Sequence, residues 1–158
     1  GPHREDQFWL DLIEERARRY GVTGLRNVTP DRYFEDGELL VFEGMRFGVA
    51  HTPGHTPGHV VIHNADLKIA FVGDVLFAGS IGRTDFPRGN HAQLISSITT
   101  RLWPLGDDIA FVPGHGPTST FGRERQTNPF VADRLTGYGG AAVEAADAAA
   151  QRTSKRYT

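Results

Sequence analysis

The feature that most constrains the fold of this chain is the segment HTPGHTPGH at residues 51–59. Its three histidines are spaced four residues apart, which on a helix would place them on one face. Pro53 and Pro57 exclude a helix, because each lacks a backbone N–H and drives the preceding residue toward extended geometry. We therefore predict a tight loop whose turns fix the directions of its imidazoles. Three histidines in so rigid a loop indicate a metal site; the alternative is a structural loop whose histidines bond backbone carbonyls.

Two further segments share one arrangement, in which an apolar strand ends in a glycine turn that presents a polar side chain. In IAFVGD the carboxylate of Asp74 follows a glycine, and in IAFVPGHGP the imidazole of His115 lies between two glycines. Either segment alone is typical of an ordinary turn. In open sheets with helices on their faces, ligands bind beyond the carboxyl ends of strands. Together with the histidine loop, these segments predict a site of nitrogen and oxygen ligands for a metal such as zinc or iron.

Hydrophobic periodicity and turn residues predict a mixed α/β fold. An amphipathic helix is predicted over residues 5–20, with Gly21 as its end. A second helix is predicted over residues 91–103, with Asn90 as its N-cap and Gln93 completing a capping box. The predicted strands are residues 38–43, 45–50, 59–63, 67–72 and 109–112.

Length and composition exclude several classes of protein. The chain has 158 residues, enough for one domain, which we place at residues 1–136, before a weakly structured alanine-rich tail at residues 137–158. The absence of cysteine excludes disulfides, thiolate metal sites and cysteine nucleophiles. Its formal net charge of -2 supplies no long-range attraction for nucleic acid or an anionic membrane. We therefore expect no nucleic-acid or membrane partner and a cytoplasmic location.

The motifs HTPGHTPGHV, GDVLF followed by GRTDFPRG, and VPGHGP resemble the later motifs of the metallo-β-lactamase superfamily, above all its type II glyoxalase (hydroxyacylglutathione hydrolase)-like branch. The similarity also includes GPHREDQFWL and ERQTNPF, and stops before the alanine-rich tail. This resemblance implies that His55 is a ligand of one metal, that Asp74 bridges both metals and that His115 binds the second. It further implies that His51 and His59 support the ligands. The implied metals are two zinc ions, with iron or manganese as alternatives.

The resemblance implies an αββα sandwich of two similar halves, of which this chain would supply the end of the first half and all of the second. The family signature H-x-H-x-D-H is absent, because His3, His63 and His91 lie outside any such pattern. Three ligands, one of them bridging, would leave each metal with only two protein ligands, where a catalytic zinc normally has three. We therefore expect the sequence to be part of a longer protein and to be inactive by itself.

The function implied by the resemblance is that of a metallo-hydrolase in which a metal-bridging hydroxide attacks a small-molecule thioester substrate, without a side-chain nucleophile. In the loop SIGRTDFPRGN, Arg83 and Asp85 would line the site or bind an anionic substrate, or form an ion pair that braces the loop. A related GRTDF stretch occurs in persulfide dioxygenases of the superfamily, which use one iron, so that activity is an alternative. A further alternative is a non-catalytic remnant that binds no metal tightly.

Overall fold

Six strands form one mixed sheet in the computed structural model of the chain, which describes residues 2–138. The strands are β1 (Leu39–Phe42), β2 (Met45–His51), β3 (Val60–Asn64), β4 (Ile69–Gly73), β7 (Ala110–Pro113) and β8 (Ser119–Thr120), and a separate hairpin is formed by β5 (Leu76–Phe77) and β6 (Ser80–Ile81). The order in the sheet is β1-β2-β3-β4-β7-β8. The α/β prediction is confirmed, and each of the five predicted strands is present with its ends within two residues. The short strands β5, β6 and β8 were not predicted.

The directions of the strands bring the carboxyl ends of three of them to one edge of the sheet. Strand β3 is antiparallel to both β2 and β4, so β2 and β4 run in the same direction. Strands β4 and β7 are paired in parallel, with Phe71 opposite Val112. The carboxyl ends of β2, β4 and β7 therefore lie at the same edge, where the histidine loop, Asp74 and His115 follow them in the chain.

The helical segments are a 3₁₀ turn (Arg4–Asp6), α1 (Gln7–Asp11), α2 (Ile13–Arg19), α3 (His91–Ser97), α4 (Phe121–Thr127) and α5 (Asp133–Thr136). The helix predicted over residues 5–20 is interrupted at Leu12, where the backbone leaves the helical region at φ -105° and ψ 4°. Of its apolar residues, Ala17 is buried and Phe8, Trp9, Leu12 and Ile13 are half-buried, whereas Tyr20 is 85% exposed. The segment contacts loops: Trp9 meets Phe86 edge to face at 5.9 Å, and Asp6 bonds Thr56 and Gly58.

The second predicted helix begins where expected. Asn90 caps α3, and its side chain accepts a hydrogen bond from the backbone N–H of Gln93 at 2.9 Å. Beyond α3 the chain continues as a π-helical turn (Ile98–Leu102) and a 3₁₀ turn (Trp103–Leu105), so the predicted length is right but the regular helix is shorter.

One face of the sheet forms the hydrophobic core with α3 and the two turns that follow it. This core includes Val61, Val72, Phe111, Leu94, Ile98 and Trp103. The other face carries an apolar row of Ile62, Phe71 and Val112, which are opposite one another across β3, β4 and β7. Phe71 and Val112 are 45% and 36% exposed. The two faces of the sheet thus differ in how well the described residues cover them.

The tail predicted from residue 137 lies, beyond Tyr138, outside the described residues. Among the helices that the structure describes, none has both the length and the apolar character needed to cross a membrane.

Candidate metal site

The structure brings Asp74, His55 and His115 together at the shared strand edge. Asp74 Oδ2 lies 3.7 Å from His55 Nε2, and Asp74 Oδ1 lies 3.9 Å from His115 Nε2. These separations are too long for hydrogen bonds. Two ligand atoms bound to one zinc ion at tetrahedral angles are separated by roughly 3.4 Å, as follows from zinc–ligand bonds of about 2.1 Å. Each histidine–aspartate gap therefore has the size that a shared metal ion requires, and the donor set is one that zinc and iron accept.

The loop between β2 and β3 is held on two sides by hydrogen bonds from other segments. On one side, the Ser97 hydroxyl of α3 donates a hydrogen bond to the carbonyl of Pro53 at 2.7 Å. On the other, the carboxylate of Asp6 accepts hydrogen bonds from the Thr56 hydroxyl at 2.6 Å and from the Gly58 N–H at 2.7 Å. The predicted loop is confirmed, and its ends and its middle are both anchored.

His55 is held in a single tautomer by its surroundings. Its Nδ1 lies 2.8 Å from the backbone carbonyl of Arg83, which can only accept, so Nδ1 carries the proton. The lone pair of Nε2 then faces Asp74. The ring meets Phe86 edge to face at 5.2 Å, and the side chain is 12% exposed. A hydrogen bond from the distal ring nitrogen to a carbonyl is the usual way in which proteins orient a metal-ligating histidine.

His59 supports Asp74 through the backbone. Its Nε2 accepts a hydrogen bond from the N–H of Asp74 at 3.2 Å. Burial, together with the neighbouring His55, lowers the pKa of His59 to about 4, so the ring is neutral at physiological pH. The supporting role expected for His59 is consistent with this contact, which is to the backbone and not to the carboxylate of Asp74.

His51 braces the loop rather than lining the cavity. Its Nε2 lies 2.7 Å from the carbonyl of Pro57, and its ring stacks on His3 with centroids 4.0 Å apart and planes inclined by 12°. His3, Glu5 and His51 bring ligand-type atoms within 4.8 Å of one another. However, Nε2 of His51 is engaged by the Pro57 carbonyl and Nδ1 of His3 accepts a hydrogen bond from the N–H of Glu5, so these contacts brace the loop.

His115 is much more open than His55. Its side chain is 75% exposed, and its ring stacks on Phe77 at 4.5 Å with an interplanar angle of 29°. The adjacent Gly114 donates its N–H to the carbonyl of Gly73 at 2.8 Å. A Cβ at Gly114 would lie 2.3 Å from Asp74 Oδ1, so glycine at this position leaves room for the Asp74 carboxylate.

A cavity of about 470 Å³ opens in front of the three side chains. Its wall is mostly apolar and includes Phe77, Ala78, Ile81, Phe86 and Pro117. A concave apolar site with a few convergent polar groups is the usual form of a small-molecule site. The sequence did not reveal the β5–β6 hairpin as part of this wall, because strands of two residues carry no readable periodicity.

The long loop after the hairpin adds Arg83 to the cavity wall. Arg83 forms a bidentate ion pair with Asp85, with Nε–Oδ1 and Nη2–Oδ2 distances of 2.7 and 2.6 Å, and its guanidinium lies 4.4 Å from the Phe86 ring centroid. This ion pair lowers the pKa of Asp85 to about 2. The predicted ion pair is present, whereas a contact of Arg83 with a substrate stays a prediction.

Comparison with known proteins identifies the family. The sequence profile of the metallo-β-lactamase superfamily matches residues 1–115. The chain belongs to this superfamily. The predicted family and fold are confirmed.

Three similar proteins illustrate its relations within the superfamily. The hydroxyacylglutathione hydrolase GloC of Haemophilus influenzae is 48% identical over 132 residues, which are 83% of this chain and 62% of that protein. A di-iron-bound form of TTHA1623 superposes with a TM-score of 0.71 at 37% identity, covering 82% of this chain and 63% of that one. ETHE1 from Myxococcus xanthus superposes with a TM-score of 0.60 at 30% identity, covering 75% and 55%. The chain thus spans less than two thirds of the length of each.

Proposed function

We propose that this chain supplies one side of a dinuclear metal centre in a metallo-hydrolase, with His55, Asp74 and His115 as metal ligands. The observation that carries the proposal is the orientation of Asp74, whose two carboxylate oxygens face different imidazoles at 3.7 and 3.9 Å. A carboxylate with one oxygen toward each of two sites is the arrangement that a bridging ligand requires. The remaining donors for each ion are expected from the part of the family's length that this chain does not span.

The substrate class that we propose is a thioester of the hydroxyacylglutathione type. Support comes from the similarity to GloC and from the cavity, which combines an apolar wall with one cation. Phe77, Ile81 and Phe86 would contact the acyl part and exclude water, and Arg83 would attract an anionic part of the substrate once it exchanges its bond with Asp85.

The protein side of the mechanism is one of orientation. A pair of bound zinc ions lowers the pKa of water toward about 7 and polarises a carbonyl oxygen. The Arg83 carbonyl keeps the proton of His55 on Nδ1, so that Nε2 presents its lone pair to the site. His59, neutral and buried, holds the backbone of Asp74 and thereby the position of the carboxylate. The chain needs no nucleophilic side chain for this chemistry.

The test uses the full-length protein that contains this chain. We expect two metal ions per protein and release of a thiol from a hydroxyacylglutathione thioester. His55→Ala and His115→Ala should each lose one ion and at least about 100-fold in kcat/KM, more than is typical for residues that only support a ligand. His91→Ala is the matched control, because His91 is exposed at the start of α3 and away from the cavity. Full metal content and full activity in both ligand variants would contradict the proposal.

A persulfide dioxygenase with one iron is the second candidate, favoured by the similarity to ETHE1 and by the GRTDF stretch. In that case a single ion would bind at the His55–Asp74 side. Full-length protein would then contain one iron, consume oxygen with a persulfide, and keep its iron in the His115→Ala variant. A non-catalytic remnant would bind no metal tightly and show neither activity.

A further inference from the structure

A buried carboxylate lies behind the cavity, in the ERQTNPF segment. Glu124 of α4 is 1% exposed. It forms no ion pair with another described residue. It instead accepts hydrogen bonds from three neutral donors: the Gly79 N–H at 2.9 Å, the Asn128 side-chain amide at 2.8 Å and the Ser119 hydroxyl at 2.6 Å. Burying a carboxylate is costly unless its lone pairs are satisfied. These bonds therefore hold specific groups in place around Glu124.

Asn128 extends this contact to a second point of the β5–β6 hairpin. It is fully buried, and its Nδ2 also donates to the Ser80 carbonyl at 3.1 Å. Its Oδ1 accepts from the N–H of Phe130 at 2.9 Å, which fixes the orientation of the amide. Glu124 and Asn128 thus bind both the turn and the second strand of the hairpin, and we call these two residues the hairpin latch.

The hairpin requires such support from outside. Its strands have two residues each, and even longer isolated hairpins are only marginally stable in water. Leu76, which is fully buried, anchors its first strand in the core. The polar backbone groups at Gly79 and Ser80 are bound by the hairpin latch. The position of the hairpin tip is therefore set by α4.

The hairpin in turn contacts the open histidine of the site. Phe77 stacks on His115, which is 75% exposed and lies between two glycines. We propose that the hairpin latch is a positioning element for His115: it fixes the hairpin, the hairpin fixes Phe77, and Phe77 holds the imidazole toward Asp74. This inference rests on the proposed function, because it assumes that His115 binds the second metal.

Four substitutions test the hairpin latch with matched chemistry. Glu124→Leu removes both acceptors, and Asn128→Asp replaces the donor by a carboxylate that faces the Ser80 carbonyl. Glu124→Gln should be tolerated, because its carbonyl can accept from Gly79 and Asn128 while its amide donates to the Ser119 hydroxyl, which can also accept. Ser119→Ala is the second control, since it removes the one bond of Glu124 that does not lead to the hairpin or to Asn128.

The measurement is a chelator competition on the zinc-loaded full-length protein, which gives one zinc affinity for each of the two metal sites. The affinity that is lost in His115→Ala is assigned to the site that includes His115. Glu124→Leu and Asn128→Asp should weaken that affinity by at least about tenfold and leave the other unchanged, the usual size of an effect on residues that orient a ligand. Glu124→Gln and Ser119→Ala should stay within about twofold of wild type on the same scale. Phe77→Leu leaves Glu124 and Asn128 intact and should also weaken only the zinc affinity at His115. The inference can therefore be tested even if a variant of Glu124 or Asn128 fails to fold.

Equal weakening at both sites, or unchanged affinities in folded Glu124→Leu and Phe77→Leu proteins, would overturn the inference. If the wild-type protein binds no zinc, the proposed function fails by itself. The hairpin latch is then judged by the NMR signal of the His115 ring, which the stacked Phe77 shifts. Glu124→Leu should abolish that shift and Glu124→Gln should keep it, whereas an unchanged signal in Glu124→Leu would overturn the latch as well.

Discussion

The two histidine-bearing turns of the site are built in opposite ways. The loop that carries His55 is anchored by α3 and by Asp6, and the His55 ring itself bonds the Arg83 carbonyl. The turn that carries His115 leaves its side chain 75% exposed, with a stacked phenylalanine as its aromatic neighbour. The proposed ligand His55 is therefore oriented by a hydrogen bond to a neighbouring carbonyl, whereas for the proposed ligand His115 we infer an orientation through Phe77 that depends on α4. Two histidines that face the same carboxylate thus differ in how much their own segment determines their position.

The largest expected effect comes from two glycines at positive φ, one in each turn. Gly54→Ala should lower the free energy of unfolding by about 3 kcal/mol or more, because φ is +138° and a Cβ would lie 2.4 Å from the backbone of Leu94. Gly116→Ala should cost only about 1 to 2 kcal/mol, because φ is +80° but the space around it is open. Urea unfolding of both variants checks this difference. Equal losses would show that the two turns are equally crowded.

The second effect depends on pH and concerns His59 in the anchored loop. Because the folded protein holds the pKa of His59 at about 4, below its ordinary value of 6.5, the folded state favours the neutral ring. The unfolded chain binds the proton first, so stability is full above pH 6.5 and is lost as the pH falls toward 4, by about 3 kcal/mol in total. Urea unfolding of metal-free protein from pH 8 to pH 4 should show this loss. His59→Gln should have a flatter profile, and an identical slope would rule out His59 as its source.

A third, smaller effect should follow from releasing the loop at Asp6. Asp6→Ala leaves the Thr56 hydroxyl and the Gly58 N–H without their acceptor, which should cost about 2 kcal/mol of stability. The affinity for the metal at His55 should fall by about tenfold, and that at His115 should stay unchanged. Stability and metal affinity are measured on the same samples. Asp11→Ala, in the neighbouring exposed part of the helical segment, is the control. A loss of metal affinity at His115 and not at His55 would contradict the view that Asp6 anchors only the loop of His55.

The smallest effect is expected for the ion pair on the loop that holds His55. The backbone carbonyl of Arg83, and not its guanidinium, bonds His55, so Asp85→Asn should leave the metal affinity and the unfolding midpoint within experimental error. The pKa of Asp85 is lowered by Arg83, but both groups are exposed and screened by solvent. Raising the salt concentration should change nothing further. A clear loss of metal in Asp85→Asn would show that the ion pair, too, supports His55.

The sequence predicted the parts of this site that are encoded locally. Pro53 and Pro57 exclude a helix, and the repeated pattern of strand, glycine and polar residue placed Asp74 and His115 at strand ends, which the parallel pairing of β4 and β7 then brings together. The β5–β6 hairpin was missed because its strands have two residues each and its turn is held by a long-range hydrogen bond that the Gly79 N–H donates to Glu124. The interruption of the first helical segment at Leu12 was also missed, because no glycine or proline marks it in the sequence.

The close approach around Asp74 also limits how the centre could be changed. A Cβ at Gly82 would lie 1.9 Å from the backbone oxygen of Asp74, and one at Gly114 would lie 2.3 Å from its Oδ1. A side chain at Gly82 would clash with the backbone, and one at Gly114 would displace the Asp74 carboxylate, so neither position can accept a new donor while Asp74 keeps its place. Changes to the metal preference of the proposed centre would therefore be introduced from the open side, where Phe77 and Arg83 border the cavity.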